Sequence, residues 1–413
     1  MFQTTLAGST PSASGILFPQ IVTSDVTIFL CIASAIILSY SQYAMGTQSI
    51  IHVCEPDISP LEVRYVTRAV REGQISSVAK YVPLFEEAFA KKVGTKYAVA
   101  VNSGGSALFL TLWALGIRAG DEVIMPAFTM VATANAIKQC GATPVFVDSE
   151  QNGNINVTKI EEKITPRTKA ILPVHIYGHP CDMDVILVIA RKHKLLVVED
   201  AAEAHGALYN GTMVGSLGVA GCFSFYANKV MTTGEGGMVV TNSKKLAASL
   251  QKLRAYYISE KKHFLHAELA WNLRMNSLAA SLGLAQLERL DELIEKRRAN
   301  AAYYSKKLAG LSDVLTLPSE KTGARSIYWM YGVVVQSKKR GLRDTLMKYL
   351  TDRGVETRTF FFPMHWQPMY KETKSYPIAD YLGRNGLYLP SSSHIARKSQ
   401  DAVVKHIQEF FRS

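Results

Sequence analysis

Between residues 97 and 241 the sequence switches repeatedly between two patterns, and this alternation restricts the fold more than any other feature. Short apolar runs open at Tyr97 (YAVAV), Asp121 (DEVIMP), Thr143 (TPVFVD), Ala170 (AILPVHIYG) and Leu195 (LLVVED), and stretches of helical character lie between them, near 107–116, 129–141, 157–164 and 182–193. Runs without polar alternation have no wet face. They predict strands covered on both sides, with helical crossovers joining them into a mainly parallel sheet of the α/β class. A chain of 413 residues exceeds one ordinary domain. We therefore expect a large domain over 45–308 and a small C-terminal α+β domain over 309–413. The small domain would hold strand SIYWMYGVVV, helix LRDTLMKYLTDRG, strand VETRTFFF and a last helix from Ser399 to Phe411. A single long helix is expected from Ser277 to about Leu308.

The stretch GCFSFYANKVMTTGEGGMVVT, from Gly221 to Thr241, sets Lys229 in a short turn between two apolar strands and ahead of a glycine-rich bend. That is a setting for a lysine at the floor of a site. A desolvated lysine is a usable nucleophile, most often for a Schiff base with a carbonyl or with pyridoxal phosphate; a structural lysine at a strand end is the alternative. Upstream, LLVVEDAAEAHG ends a strand at Glu199-Asp200 and continues into small residues that leave room for a flat ligand. A carboxylate here suits the protonated pyridine nitrogen of that cofactor, although Asp200 standing alone reads first as a helix cap after a strand.

Together with PVHIYGHPCDMD (Pro173 to Asp184), EDAAEAHGALYNG (Glu199 to Gly211), FSFYANKVMTTGEGGMVV (Phe223 to Val240) and WNLRMNSLAASLGLAQLERL (Trp271 to Leu290), these residues resemble the DegT/StrS family of sugar-nucleotide aminotransferases. The resemblance runs from about Ile51 to the C-terminus and is nearest to the perosamine-synthase branch. It implies an aspartate-aminotransferase-like fold, pyridoxal 5'-phosphate on Lys229, and Asp200 opposite the ring nitrogen. Amino-group transfer from glutamate to the 4-keto group of a nucleotide sugar follows, GDP-4-keto-6-deoxymannose in that branch, within O-antigen or other polysaccharide biosynthesis. The resemblance also implies a cofactor-phosphate loop at Gly104, Gly105 and Ser106, helped by the Ser224 hydroxyl and by Asn272 reaching across a homodimer. Glu203 and Met130 would touch the cofactor ring. Ser76, Ser77, Tyr81, Arg358 and His365 would border the substrate. Two positions depart from the family pattern: Gly105 where Thr is usual, and Met130 where an aromatic ring usually stacks. The rivals are a dTDP- or UDP-linked keto sugar as substrate, the family's deoxygenating dehydratases, which carry histidine at the lysine position, and a non-catalytic regulator of the same fold.

Lys and Arg exceed Asp and Glu by 46 to 34, a formal charge of +12, with no basic run longer than Lys338-Lys339-Arg340. Scattered basic residues argue against a nucleic-acid stripe and suit an anionic small substrate. Cys31, Cys54, Cys140, Cys181 and Cys222 form no metal-ligand spacing, so we expect reduced thiols, no metal and a cytoplasmic setting. Residues 1–44 stand apart. VTIFLCIASAIILSY (Val26 to Tyr40) is short for a membrane span, and no Lys or Arg precedes Arg64. We read the segment as a translational start placed too early, with a membrane anchor as the alternative.

Overall fold

The computed structural model describes residues 50–258, 262, 264–266, 268–336 and 341–412, so the segment 1–44 lies outside the described residues. The described residues open with α1 (Pro60–Arg71) and α2 (Tyr81–Val93). In α1 the Ser59 N–H donates to Glu62 Oε2 at 2.7 Å, closing a capping box.

The apolar runs become β1 (Tyr97–Val101), β2 (Glu122–Pro126), β3 (Thr143–Val147), β4 (Thr168–Ile171) and β5 (Leu196–Asp200). A small ribbon of β6 (Leu208–Tyr209) and β7 (Thr212–Met213) follows, then β8 (Ala220–Ser224) and β9 (Gly237–Thr241). Seven of these form the central sheet in the order β1-β9-β8-β5-β4-β2-β3, and β9 alone runs against the rest. Every residue of β2, β8 and β9 is buried, as two-sided cover requires. The covering helices include α3 (Gly104–Ala114), α4 (Val131–Gln139), α5 (Met183–His193), α6 (Lys244–Leu253), α7 (Ser277–Glu288) and α8 (Leu290–Leu308).

Beyond α8, the strands β10 (Leu315–Thr316), β12 (Tyr331–Val335), β13 (Arg358–Thr359) and β14 (Gly386–Leu389) make an antiparallel sheet in the order β10-β12-β14-β13. The helices α9 (Leu342–Thr351), α10 (Pro377–Asn385) and α11 (Arg397–Arg412) accompany it. A second hydrophobic cluster, with Tyr304, Leu308, Val333, Leu346, Leu350, Leu387 and Ile407, is separate from the larger one around the central sheet. Strand β11 (Ala324–Arg325) pairs with β6 and ties the C-terminal part back to the large one.

Three expectations need correction. Residues 157–164 form two 3-10 turns, Val157–Lys159 and Glu161–Lys163, each closed by a bond three residues back, from Ile160 N to Val157 O and from Ile164 N to Glu161 O. The helix expected over 277–308 breaks at Arg289, whose guanidinium is drawn to Asp57 and Glu62. In SIYWMYGVVV only Tyr331 onward is strand. The N–H groups of Ile327 and Trp329 instead bond the carbonyls of Gly178 and Tyr177, and this bends the chain over the site.

Candidate active site

Loops leaving the carboxyl ends of β1, β2, β5 and β8 converge on one cavity of about 330 Å³, lined by Gly104, Met130, Thr133, Asp200, Glu203, Ser224, Lys229 and Trp329 among others. Parallel strands end on one side of a sheet, which is why residues far apart in sequence meet there.

At one end, Ser103 caps α3 by accepting from the Ser106 N–H at 3.1 Å, and its carbonyl accepts from Ala107 N at 3.0 Å. The N–H groups of Gly104 and Gly105 are then the first free donors of the helix, at the cavity wall. A Cβ on Gly104 would come within 2.6 Å of Ser224 Cβ, so only glycine lets the serine approach this loop. Gly105 is different: a Cβ there would make ordinary contacts, so space does not exclude a larger residue.

In the middle stands Asp200, buried at the end of β5. Adjacent strand residues face opposite ways, and the two carboxylates of Glu199-Asp200 separate accordingly. Glu199 accepts from His175 Nε2 (3.1 Å) and from the backbone N–H groups of Gly215, Leu217 and Gly218, pinning a loop behind the sheet. Asp200 accepts from Thr133 Oγ1 at 2.8 Å and from Ala202 N at 3.2 Å. Burial pushes its pKa upward against these two hydrogen bonds.

Opposite lies Lys229, in a turn closed by its own N–H on Tyr226 O. Its side chain is 10% exposed, and its Nζ sits 3.7 Å from Glu203 Oε1 and 3.7 Å from the centre of the Trp329 ring. Burial lowers the lysine pKa, opposed by Glu203 and Asp200. Burial likewise raises Glu203 to about 7, although its Oε2 accepts from Tyr177 N at 2.8 Å. Residues 201–207 are turns rather than a helix, yet they still bring Glu203 to the lysine. Among the described residues no helix is long and apolar enough to cross a membrane, and no cluster of His, Cys, Asp and Glu has metal-binding geometry.

The model of the DegT/DnrJ/EryC1/StrS aminotransferase family matches residues 56–408. The chain belongs to this family. Among curated relatives, GDP-perosamine synthase of Caulobacter vibrioides is 43% identical over 362 residues, covering 87% of this chain and 98% of its own. The enzyme of the same name from Escherichia coli O157:H7 is 40% identical over 363 residues, covering 87% and 98%. Among solved structures, S. venezuelae DesV in complex with a ketimine intermediate superposes with a TM-score of 0.79 at 36% identity, covering 84% of this chain and 94% of its own. The PLP form of the putative sugar aminotransferase Spr1654 from Streptococcus pneumoniae gives 0.83 at 26% identity, covering 87% and 98%. The protein is thus an aminotransferase with the fold of the sugar aminotransferases.

The other sequence-predicted site residues of this family member lie at the edge of the cavity or outside it. Met130 is at its rim, 47% exposed at the start of α4. Ser106 faces an adjoining groove with Trp271 and Leu273, and Asn272 is exposed beyond it. Ser76 and Ser77 are in the loop before α2, and Tyr81 is buried with its hydroxyl donating to Glu72 at 2.9 Å. Arg358 pairs with Glu356 at 3.1 Å. His365 is buried against Asp380, with a hydrogen bond of 2.7 Å between Nε2 and the carboxylate, a packed structural position. Thr133 and Trp329 went unnoticed in the sequence. Thr133 stands one helical turn after Met130, a spacing that could have flagged it; Trp329 sits in what reads as a plain apolar strand.

Proposed function

We propose that this aminotransferase binds pyridoxal 5'-phosphate through Lys229 and transfers an amino group from glutamate to the 4-keto group of GDP-4-keto-6-deoxymannose, giving GDP-perosamine and 2-oxoglutarate. The observation that carries it is the shared cavity of Lys229, Asp200 and the Gly104–Ser224 contact. Its donors match the cofactor end by end: free helix N–H groups and a hydroxyl for a phosphate, a buried carboxylate for a pyridinium, a desolvated amine for an aldehyde.

When bound, the cofactor supplies the carbonyl that captures amines and the ring that accepts the electron pair released at the substrate carbon. Asp200 holds the proton on the ring nitrogen, and Thr133 fixes which carboxylate oxygen faces it. Lys229 Nζ tethers the group and, when released, moves the proton off glutamate Cα and onto the amino-sugar carbon. Buried Glu203, raised to about 7, is a neighbouring site for a proton near the working pH. We place the dimer contact at Asn272, whose exposure leaves it free to reach a second copy, and read 45–308 as the cofactor domain, 309–413 as the closing one, and the enzyme as cytoplasmic.

The substrate class follows from the names of the relatives at 40–43% identity. The test is a panel of 4-keto sugar nucleotides with glutamate as donor. We expect kcat/KM for the GDP sugar at least about tenfold above the dTDP and UDP sugars, roughly 1.4 kcal/mol of transition-state binding. Equal rates would refute the perosamine assignment and leave the aminotransferase standing.

A further inference from the structure

The lysine of the site is gripped from two sides, and both grips trace back to the backbone of one residue. Tyr177 adopts φ 54°, ψ 19°, the left-handed region that a tyrosine rarely enters, and such outliers gather where function requires them. Its N–H donates to Glu203 Oε2 at 2.8 Å, and its C=O accepts from Trp329 N at 3.0 Å. Glu203 Oε1 and the centre of the Trp329 ring each lie 3.7 Å from Lys229 Nζ. Trp329 is fixed a second time by its indole N–H, which donates to Asn228 O at 2.7 Å, in the residue before the lysine. Gly178 completes the joint: a Cβ there would lie 3.2 Å from Trp329 N and 3.1 Å from Glu203 O.

We propose that Trp329, brought over the site by the C-terminal part of the chain and locked through the Tyr177 carbonyl, is a positioning residue that holds Lys229 Nζ at the angle at which it captures the cofactor. The inference rests on the reading of Lys229 as the reactive lysine. A tryptophan face also stabilises an ammonium electrostatically, acting in the same sense as Glu203 and Asp200 and against burial. The other titratable groups facing Lys229 are the Cys54 thiol and His205, and burial holds His205 down to about 3, so that ring is neutral. The ring of Trp329 therefore does two things at once: it raises the lysine's basicity and restricts its direction. Removing it should make the amine more often neutral yet worse placed, a combination that a purely electrostatic or purely packing role would not give.

The experiment uses cofactor-free protein. Competitive acetylation of Lys229, read by peptide mass spectrometry across pH, gives its titration midpoint, and stopped-flow absorbance gives the rate of pyridoxal phosphate capture. For Trp329→Leu we expect the midpoint to fall by about half to one pH unit, while capture slows by about fivefold or more. Glu203→Gln should also lower the midpoint. Trp329→Phe keeps a weaker face but loses the hydrogen bond to Asn228, so its midpoint should move less while capture still slows. An unmoved midpoint and unchanged capture rate in Trp329→Leu, with the far-UV dichroism of the parent, would overturn the proposal. If that variant does not fold, unchanged capture in Trp329→Phe overturns it. Borohydride trapping separates the two readings: an adduct on another lysine sinks the assignment of Lys229, whereas an adduct on Lys229 with unaltered Trp329 variants sinks only this inference.

Discussion

Two charge clusters, each setting one cation beside an aspartate and a glutamate, behave in opposite ways. Around Lys229, Asp200 and Glu203 are both pushed upward by burial, and the Lys229–Glu203 contact is loose at 3.7 Å. Where the start of α1 meets the α7–α8 break, Arg289 donates to Asp57 at 2.7 Å and to Glu62 at 2.9 Å. Glu62 also accepts from Gln286 at 2.8 Å and from the Ser59 N–H, and Ser393 donates to Asp57 at 2.9 Å. There the hydrogen bonds outweigh burial and hold Glu62 down to about 2. The second cluster is a latch joining the first helix, α8 and the LPSSS loop, whose carbonyls also receive Arg297, Asn300 and Tyr304. The difference teaches how to tell structure from function: a buried carboxylate with its lone pairs satisfied fastens the fold, and one left short of donors is available for chemistry.

The sharpest break of the comparison is to delete the central cation of each cluster. Lys229→Ala should lower turnover by at least about 10³-fold, because the tether and the proton carrier vanish together. Its melting temperature should stay near the parent's, since the pairing it loses is weak. A variant retaining more than a tenth of the activity would show that another group does the chemistry. Arg289→Ala should do the reverse, leaving Asp57 and Glu62 without their cation at a cost of about 3 kcal/mol in denaturant unfolding. Its kcat per folded molecule should be close to the parent's. Loss of kcat at full stability would mean that the latch is part of the catalytic machinery.

The sequence carried the site unevenly, and the reason is physical. Asp200 and Lys229 stand at the end of a strand and in the turn after one, where residue type and position suggested a site, whereas Ser224 was named only through the family resemblance. Gly104 came with the resemblance as well, since a glycine at a strand-to-helix turn is weak evidence by itself. Thr133 and Trp329 were hidden, since each matters through a contact with a residue at least 67 positions away that no local pattern encodes. The layout of the central sheet was readable from the unbroken apolar runs. The break at Arg289 was not, because it depends on carboxylates more than two hundred residues upstream.

The smallest expected effect tests the sign of the two shifts, with each glutamate replaced by its neutral isostere. The folded pKa of Glu62 is depressed to about 2, so its stabilising contribution is present above the unfolded value near 4.5 and is lost as pH falls toward 2. Glu203 is raised to about 7, so its contribution is full below about 4.5 and is lost as pH rises through 7. The melting-temperature gap between the parent and Glu62→Gln should therefore widen from pH 2 to 4.5 and then stay flat. The gap between the parent and Glu203→Gln should fall between pH 4.5 and 7.5. Solvent reaches parts of both clusters, so each change should be on the order of 1 kcal/mol, about 2 °C in a chain of this size. Scanning calorimetry of cofactor-free protein reads both gaps in one series. If the two gaps changed with pH in the same direction, the division between a satisfied latch and an undersatisfied site would not hold, because both carboxylates would then be sensing the same environment.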